Sequence, residues 1–159
     1  MLLPPPRGLY DYIAAGVKAG KFHAVGDKKT KWSWIVTDDL ANYLAKAAVY
    51  QGDDINLNTI DVGWRDGAKS QAEIAGLVSA VTHTKLSIWV VPWIVLQGLV
   101  YPIKIFSELG YDMLTMFLFF KKGTFVSDIS KQERFFGPAP SSEEAVTRWA
   151  KGKNLIEPN

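Results

Sequence analysis

The sequence predicts an α/β chain of the α+β kind, mainly helical, with about three short strands lying far apart. Three observations predict it. Apolar residues recur at helical spacing in several segments that open on serine, threonine or aspartate. Stretches with strand character are short and widely separated. Hydrophobic residues make up 48% and charged residues 21% of the 159 positions, which suits a chain that buries a core.

Taken in order, Tyr10, Ile13, Ala14 and Val17 predict a helix over Tyr10–Ala19, with Gly20 placed to end it. Lys21–Val25 reads as a short extended piece before a Gly26-Asp27 turn, and Trp32–Val36 as a strand rich in aromatic and β-branched residues. Leu40–Tyr50 is an amphipathic helix with Leu40, Tyr43, Leu44, Ala47 and Ala48 on one side. Thr37 or Asp38 suits its N-cap, and acidic residues in the first turn favour the helix dipole. Ile55–Ile60 alternates apolar and polar as a half-buried strand does. Ser70 and Glu73 form the spacing of a capping box ahead of a helix to Ala80. The apolar region 86–120 reads as mostly helical, broken at its prolines. Phe125–Asp128 reads as extended, Ile129–Phe136 as a short helix ended by Gly137-Pro138, and Ser141–Trp149 as a last capped helix. No repeat, low-complexity tract or long linker divides the chain, so residues 1–159 read as one domain. Strands this few make a poor sheet by themselves. They read as pieces that add to a sheet built elsewhere.

Several functions are excluded by composition and motif. A net charge of +2, with lysines in small clusters, gives no nucleic-acid footprint. The absence of cysteine removes disulfides, thiolate metal sites and a cysteine nucleophile. His23 and His83 have no metal-ligand spacing and read as surface or cap residues. Neither a dinucleotide-binding glycine fingerprint, nor a phosphate loop, nor a nucleophile elbow is present. Asp38 and Asp39, being adjacent, are badly placed to share a proton and read as capping residues; Asp53-Asp54 reads as a turn. The start, Met1 to Arg7, has no signal-peptide pattern, and the expected location is the cytoplasm. Leu86 to Ile103 carries no charge and reaches the lower length of a membrane span, roughly 17 residues. Pro92, Gly98, Pro102 and Gln97 argue instead for a buried helix or pocket wall. Trp32, Trp34, Trp64, Trp89, Trp93 and Tyr101 fit either an ordinary core or the wall of an apolar pocket.

Several stretches, in order, resemble the second half of extended or atypical short-chain dehydrogenases of the NAD(P)-dependent epimerase/dehydratase type, including the NmrA-like branch. Pro6-Arg7-Gly8-Leu9-Tyr10 resembles that family's Arg-Pro-x-x-x-Tyr-Gly-Pro stretch, with Pro5 where an arginine is expected and Asp11 in place of the glycine. Ala19–Asp27 followed by Trp34-Ile35-Val36-Thr37-Asp38-Asp39-Leu40-Ala41 is similar to gly-x-gly … phe-val-his-val-asp-asp-leu-ala, with Val36 at the histidine's place and Thr37 at the valine's. Ile55–Asn58 resembles the family's tyr-asn-leu strand, Ser70–Ala75 its thr-x-x-glu-ile helix, and Asp128–Ala145 its tail.

The resemblance implies the mainly helical, substrate-side half of a Rossmann-type fold, inactive by itself. It places the glycine-rich nucleotide loop and the catalytic Tyr-x-x-x-Lys pair in the first half. Tyr43-Leu44-Ala45-Lys46 has the wrong spacing for that pair, so no catalytic, cofactor-binding or metal residue carries over. NAD or NADP is expected only with the N-terminal half. The substrate-binding residues implied are Arg7, Tyr10, Trp89, Trp93 and Tyr101, and the substrate small and apolar or aromatic. The expected partner is the N-terminal Rossmann half or further copies of the chain. A stand-alone apolar-ligand binding protein and a membrane-associated protein through residues 86–120 are the alternatives.

Overall fold

The computed structural model describes residues 9–55, 58–108, 111–112, 114–115, 118 and 125–156, with the side chains at 9, 53, 99–101, 105 and 106 excepted. It is a mixed α/β chain, about half helical. Helix α1 (Leu9–Lys18) ends where Gly20, at φ +67°, takes a backbone conformation that side chains disfavour and turns the chain into β1 (Lys21–Val25). Along β1, Phe22 and Ala24 point into the core while Lys21 and His23 face out. Strand β2 (Lys31–Trp32) precedes α2 (Thr37–Ala48) and a 3₁₀ turn (Asp53–Ile55). Then β3 (Lys69–Ser70) leads into α3 (Gln71–Thr82), β4 (Ser87–Val91), α4 (Trp93–Phe106), α5 (Ser130–Phe136) and α6 (Ser142–Gly152).

Two separate two-stranded sheets result among the described residues. β1 and β4 pair in parallel, from Lys21 opposite Ser87 to Val25 opposite Val91. β2 and β3 pair antiparallel. Helices α1 and α3 pack on β1, and α6 packs on α3. The core is Ile13, Val17, Phe22, Trp32, Trp34, Trp64, Ile74, Val78, Val146 and Trp149 with their smaller neighbours.

Two glutamines hold this arrangement with the same device. The Gln71 side chain accepts from Val25 N–H at 2.8 Å and donates to Val25 C=O at 2.8 Å, standing in for a missing strand partner at the end of β1. Gln132, fully buried, does the same to Gly63 at 2.7 and 3.1 Å, and also donates to the Tyr43 hydroxyl. Buried amides are tolerated here because every strong donor and acceptor has a partner. Both capping boxes form: Ser70 with Glu73 on α3, and Ser141 with Glu144 on α6. His83, at φ +51°, is the C-cap of α3, and His23 lies exposed on β1.

Other expectations need correction. The strand expected over Trp32–Val36 stops at Trp32; the chain stays extended but bonds to a loop, Ser33 N–H donating to Phe125 C=O at 2.6 Å. The alternating stretch from Ile55 is not a strand: Ile55 closes the 3₁₀ turn, Asn58–Ile60 pair with no strand, and Asn56 and Leu57 lie outside the described residues. Alternation specifies which face is buried only once a neighbouring strand is available. The N-cap of α2 is Val36, with no side-chain capping bond, in place of Thr37 or Asp38. Region 86–120 opens with a strand, since Pro92 cannot continue a helix from 87–91 and those residues find β1 as a partner. Among the described residues no helix is long and apolar enough to cross a membrane.

Candidate functional site

Helix α2 turns Asp39, Tyr43 and Lys46 to one side, by their spacing of four and three residues. Across from them stand Arg65, Glu144 and Arg148. Together with the Pro138–Pro140 stretch these side chains line an open groove of about 660 Å³. At its floor Arg148 donates to Asp39 Oδ1 at 2.5 Å. Asp39 is buried and its second oxygen, Oδ2, has no hydrogen-bond partner. Lys46 donates to Phe136 C=O at 2.8 Å, and Arg65 faces Glu144 at 3.9 Å on the exposed rim.

The buried Asp39 carboxylate colours its surroundings. Burial raises the Tyr43 hydroxyl above its usual range; the Gln132 bond and Arg148 oppose that, while Asp39 adds to it. Tyr10 is raised further, first by burial and then by Asp39. Neither tyrosine is poised to ionise near neutrality. The groove can hold a ligand by mixed charge and hydrogen bonding, but its floor carboxylate is committed to Arg148. Among the described residues no group of three acidic or histidine side chains could hold a metal ion.

Among the described residues, Tyr10, Trp89 and Trp93, which the family resemblance implies, do not line this groove. Arg7 lies outside the described residues. Tyr10, on α1, donates to Ile35 C=O at 2.7 Å and packs its ring 6.0 Å from that of Trp149, which ties α1 to α6 and to the stretch before α2. Trp89 is on β4, 62% exposed, with Lys21 Nζ 6.0 Å from its ring. Trp93 opens α4, so the two tryptophans do not share a helical face as a continuous helix would require. Trp93 lies so close over Gly26 that a Cβ there would come within 1.8 Å of its Cε2 atom. Gly26, at φ +73°, is therefore required twice, by the turn and by the indole. Tyr101 is on α4, and its side chain is outside the described set. Trp89 thus lies open on the sheet and Trp93 covers the turn at Gly26, while Tyr10 serves the core.

Sequence reasoning missed the Asp39–Arg148 pair and the Gln132 clamp. The partners are 109 and 69 residues apart. No periodicity links them; only the second aspartate of the Asp-Asp stretch gives a signal, and by sequence alone it fits a capping residue. Comparison with protein-family models, with curated proteins and with solved structures found no match.

Proposed function

We propose that the chain is the substrate-side portion of an NAD(P)-dependent oxidoreductase or epimerase of the extended short-chain dehydrogenase type. It works with a nucleotide-binding portion of Rossmann type, which supplies the cofactor site and the catalytic pair. The β1–β4 pair is the observation that carries this reading. Parallel sheets are ordinarily covered on both faces. Here one face is packed through Phe22 and Ala24, whereas the other presents Lys21, His23 and Trp89 to solvent. Two parallel strands alone are marginal, so a further structural unit over that face or edge is the natural complement. The ordered series of family-like stretches supports the same reading. Its most specific part, Trp34–Ala41, buries Trp34, Val36 and Asp39. Trp89, exposed on β4, is the aromatic surface offered to a small apolar or aromatic substrate.

Native mass spectrometry of the protein taken from its source tests this. The expected species contains a Rossmann-type nucleotide-binding portion and a nicotinamide nucleotide. A lone chain or a homo-oligomer without nucleotide overturns the reading and leaves stand-alone binding of an apolar ligand in its place.

A further inference from the structure

Three cationic side chains line the groove between α2 and α6: Lys46, Arg65 and Arg148. Two carboxylates, Asp39 and Glu144, stand among them, so the lining carries one positive charge in excess. Both carboxylates are already engaged. Asp39 is buried and holds Arg148 by one guanidinium nitrogen, a pairing kept because a buried carboxylate left alone is costly. Glu144 Oε2 accepts from Ser141 N–H at 2.7 Å within the cap of α6, and stands 3.9 Å from Arg65, too far for a hydrogen bond. The arginines keep donors to spare. Their side chains are 55% exposed at Arg65 and 53% at Arg148, and among the described residues the Arg65 guanidinium makes no hydrogen bond. The exposed Asn42 amide belongs to the same lining. Beside these polar groups the wall is apolar, formed by Val49, Pro138 and Pro140. At about 660 Å³ the groove falls in the range of small-ligand sites, about 300–1,000 Å³.

We propose that this groove binds a small organic monoanion, a carboxylate carried on a compact apolar or aromatic body. The carboxylate sits between Arg65 and Arg148, whose planar forks match its two oxygens. The body lies against Val49, Pro138 and Pro140. A single negative charge neutralises the excess on the lining, whereas a phosphate dianion would exceed it and meet Glu144 at close quarters. The site is separate from Trp89, which does not line the groove, and it does not depend on the function proposed above.

Benzoate titrated into the full chain, followed by amide NMR shifts, tests this. Saturation with a Kd of about 1 mM or below, with shifts at Asn42, Arg65 and Arg148, is the expected result. Benzyl alcohol keeps the ring without the charge, and inorganic phosphate the charge without the ring. Each should bind at least about tenfold more weakly. Arg65→Gln should weaken benzoate about tenfold, and so should Arg148→Lys, which leaves Asp39 a cation but removes the fork. Circular dichroism of both variants should match the wild type. Arg134→Gln, whose arginine pairs with Asp54 outside the groove, is the control and should leave benzoate binding unchanged. No saturation, or phosphate binding as tightly as benzoate, overturns the inference. Binding that survives both arginine variants also overturns it, and its loss in Trp89→Ala would move the anion to the open sheet.

Discussion

Helices α6 and α4 both carry many apolar residues, and only α6 is held by them. In α6 the buried positions are Ser142, Ala145, Val146, Trp149 and Ala150, spaced by three and four, while Glu143, Glu144, Arg148 and Lys151 face out. The Ser141–Glu144 box closes its N-terminus, and Asp66 accepts both the N–H and the hydroxyl of Ser142. In α4, Trp-Ile-Val-Leu opens a helix apolar on every side, and of its described side chains only Leu96 is buried. Its N-cap is Pro92, with no side-chain bond, and Pro102 lacks the N–H that the Gly98 carbonyl would accept. A helix apolar all round gives no face preference, so mean hydropathy does not decide burial. The phase of the pattern does.

Mutations sharpen or break that contrast. The largest loss is expected for Trp149→Ala, which empties the space between α6, Tyr10 and the core and should cost about 3–5 kcal/mol in urea denaturation. A loss below about 1 kcal/mol would mean that α6 is not anchored as described. Gln132→Ala should follow, at about 2–4 kcal/mol, because it strands the Gly63 N–H and C=O in the interior. Thermal unfolding of Gln132→Ala beside Gln132→Glu separates lost volume from lost donors.

The third effect is set by pH. Burial would raise Asp66, but the Lys69 ammonium and the two Ser142 donors outweigh it and hold the carboxyl at about 2, below its ordinary 3.8. A depressed carboxylate stabilises the fold fully above pH 3.8, and that contribution fades as pH falls toward 2. With Asp66 more than a third exposed, solvent screening leaves about 1 kcal/mol of it. Asp66→Asn should therefore flatten the acid limb of a stability–pH curve measured between those values. The smallest change is expected in α4: Ile94, 77% exposed, should tolerate Ile94→Ser within about 0.5 kcal/mol by the same denaturation assay. A loss as large as that of Trp149→Ala would place α4 in the core and end the comparison.

How much of this was legible depends on distance along the chain. Spacing and caps act over three or four residues, so they place helices α1, α2, α3, α5 and α6 nearly to their ends. The Ser70–Glu73 box is legible from such spacing, and at Ser141 the sequence shows a capped start, which the structure completes as a second box with Glu144. The strands were less legible. Ser87–Val91 looks helical in a long apolar run and becomes a strand only because β1 lies beside it. The sequence groups Leu40, Tyr43, Leu44, Ala47 and Ala48 on one side of α2, yet Leu40 and Leu44 are exposed and the buried side is led by Asp39 and Tyr43. An aspartate can occupy that side because Arg148, from a helix far along the chain, neutralises it there.

The groove between α2 and α6 was not visible in the sequence at all, since its two walls come from residues about a hundred positions apart. By itself the sequence determined the mixed α/β class, most of the helices with the Ser70–Glu73 capping box, and the absence of cysteine chemistry. Those follow from composition and from interactions between near neighbours. Only the tertiary structure decided the parallel β1–β4 pair, the two glutamine clamps, the Asp39–Arg148 pair and which apolar faces stay bare. Each of these joins segments whose meeting depends on the whole packing, and no local pattern encodes it.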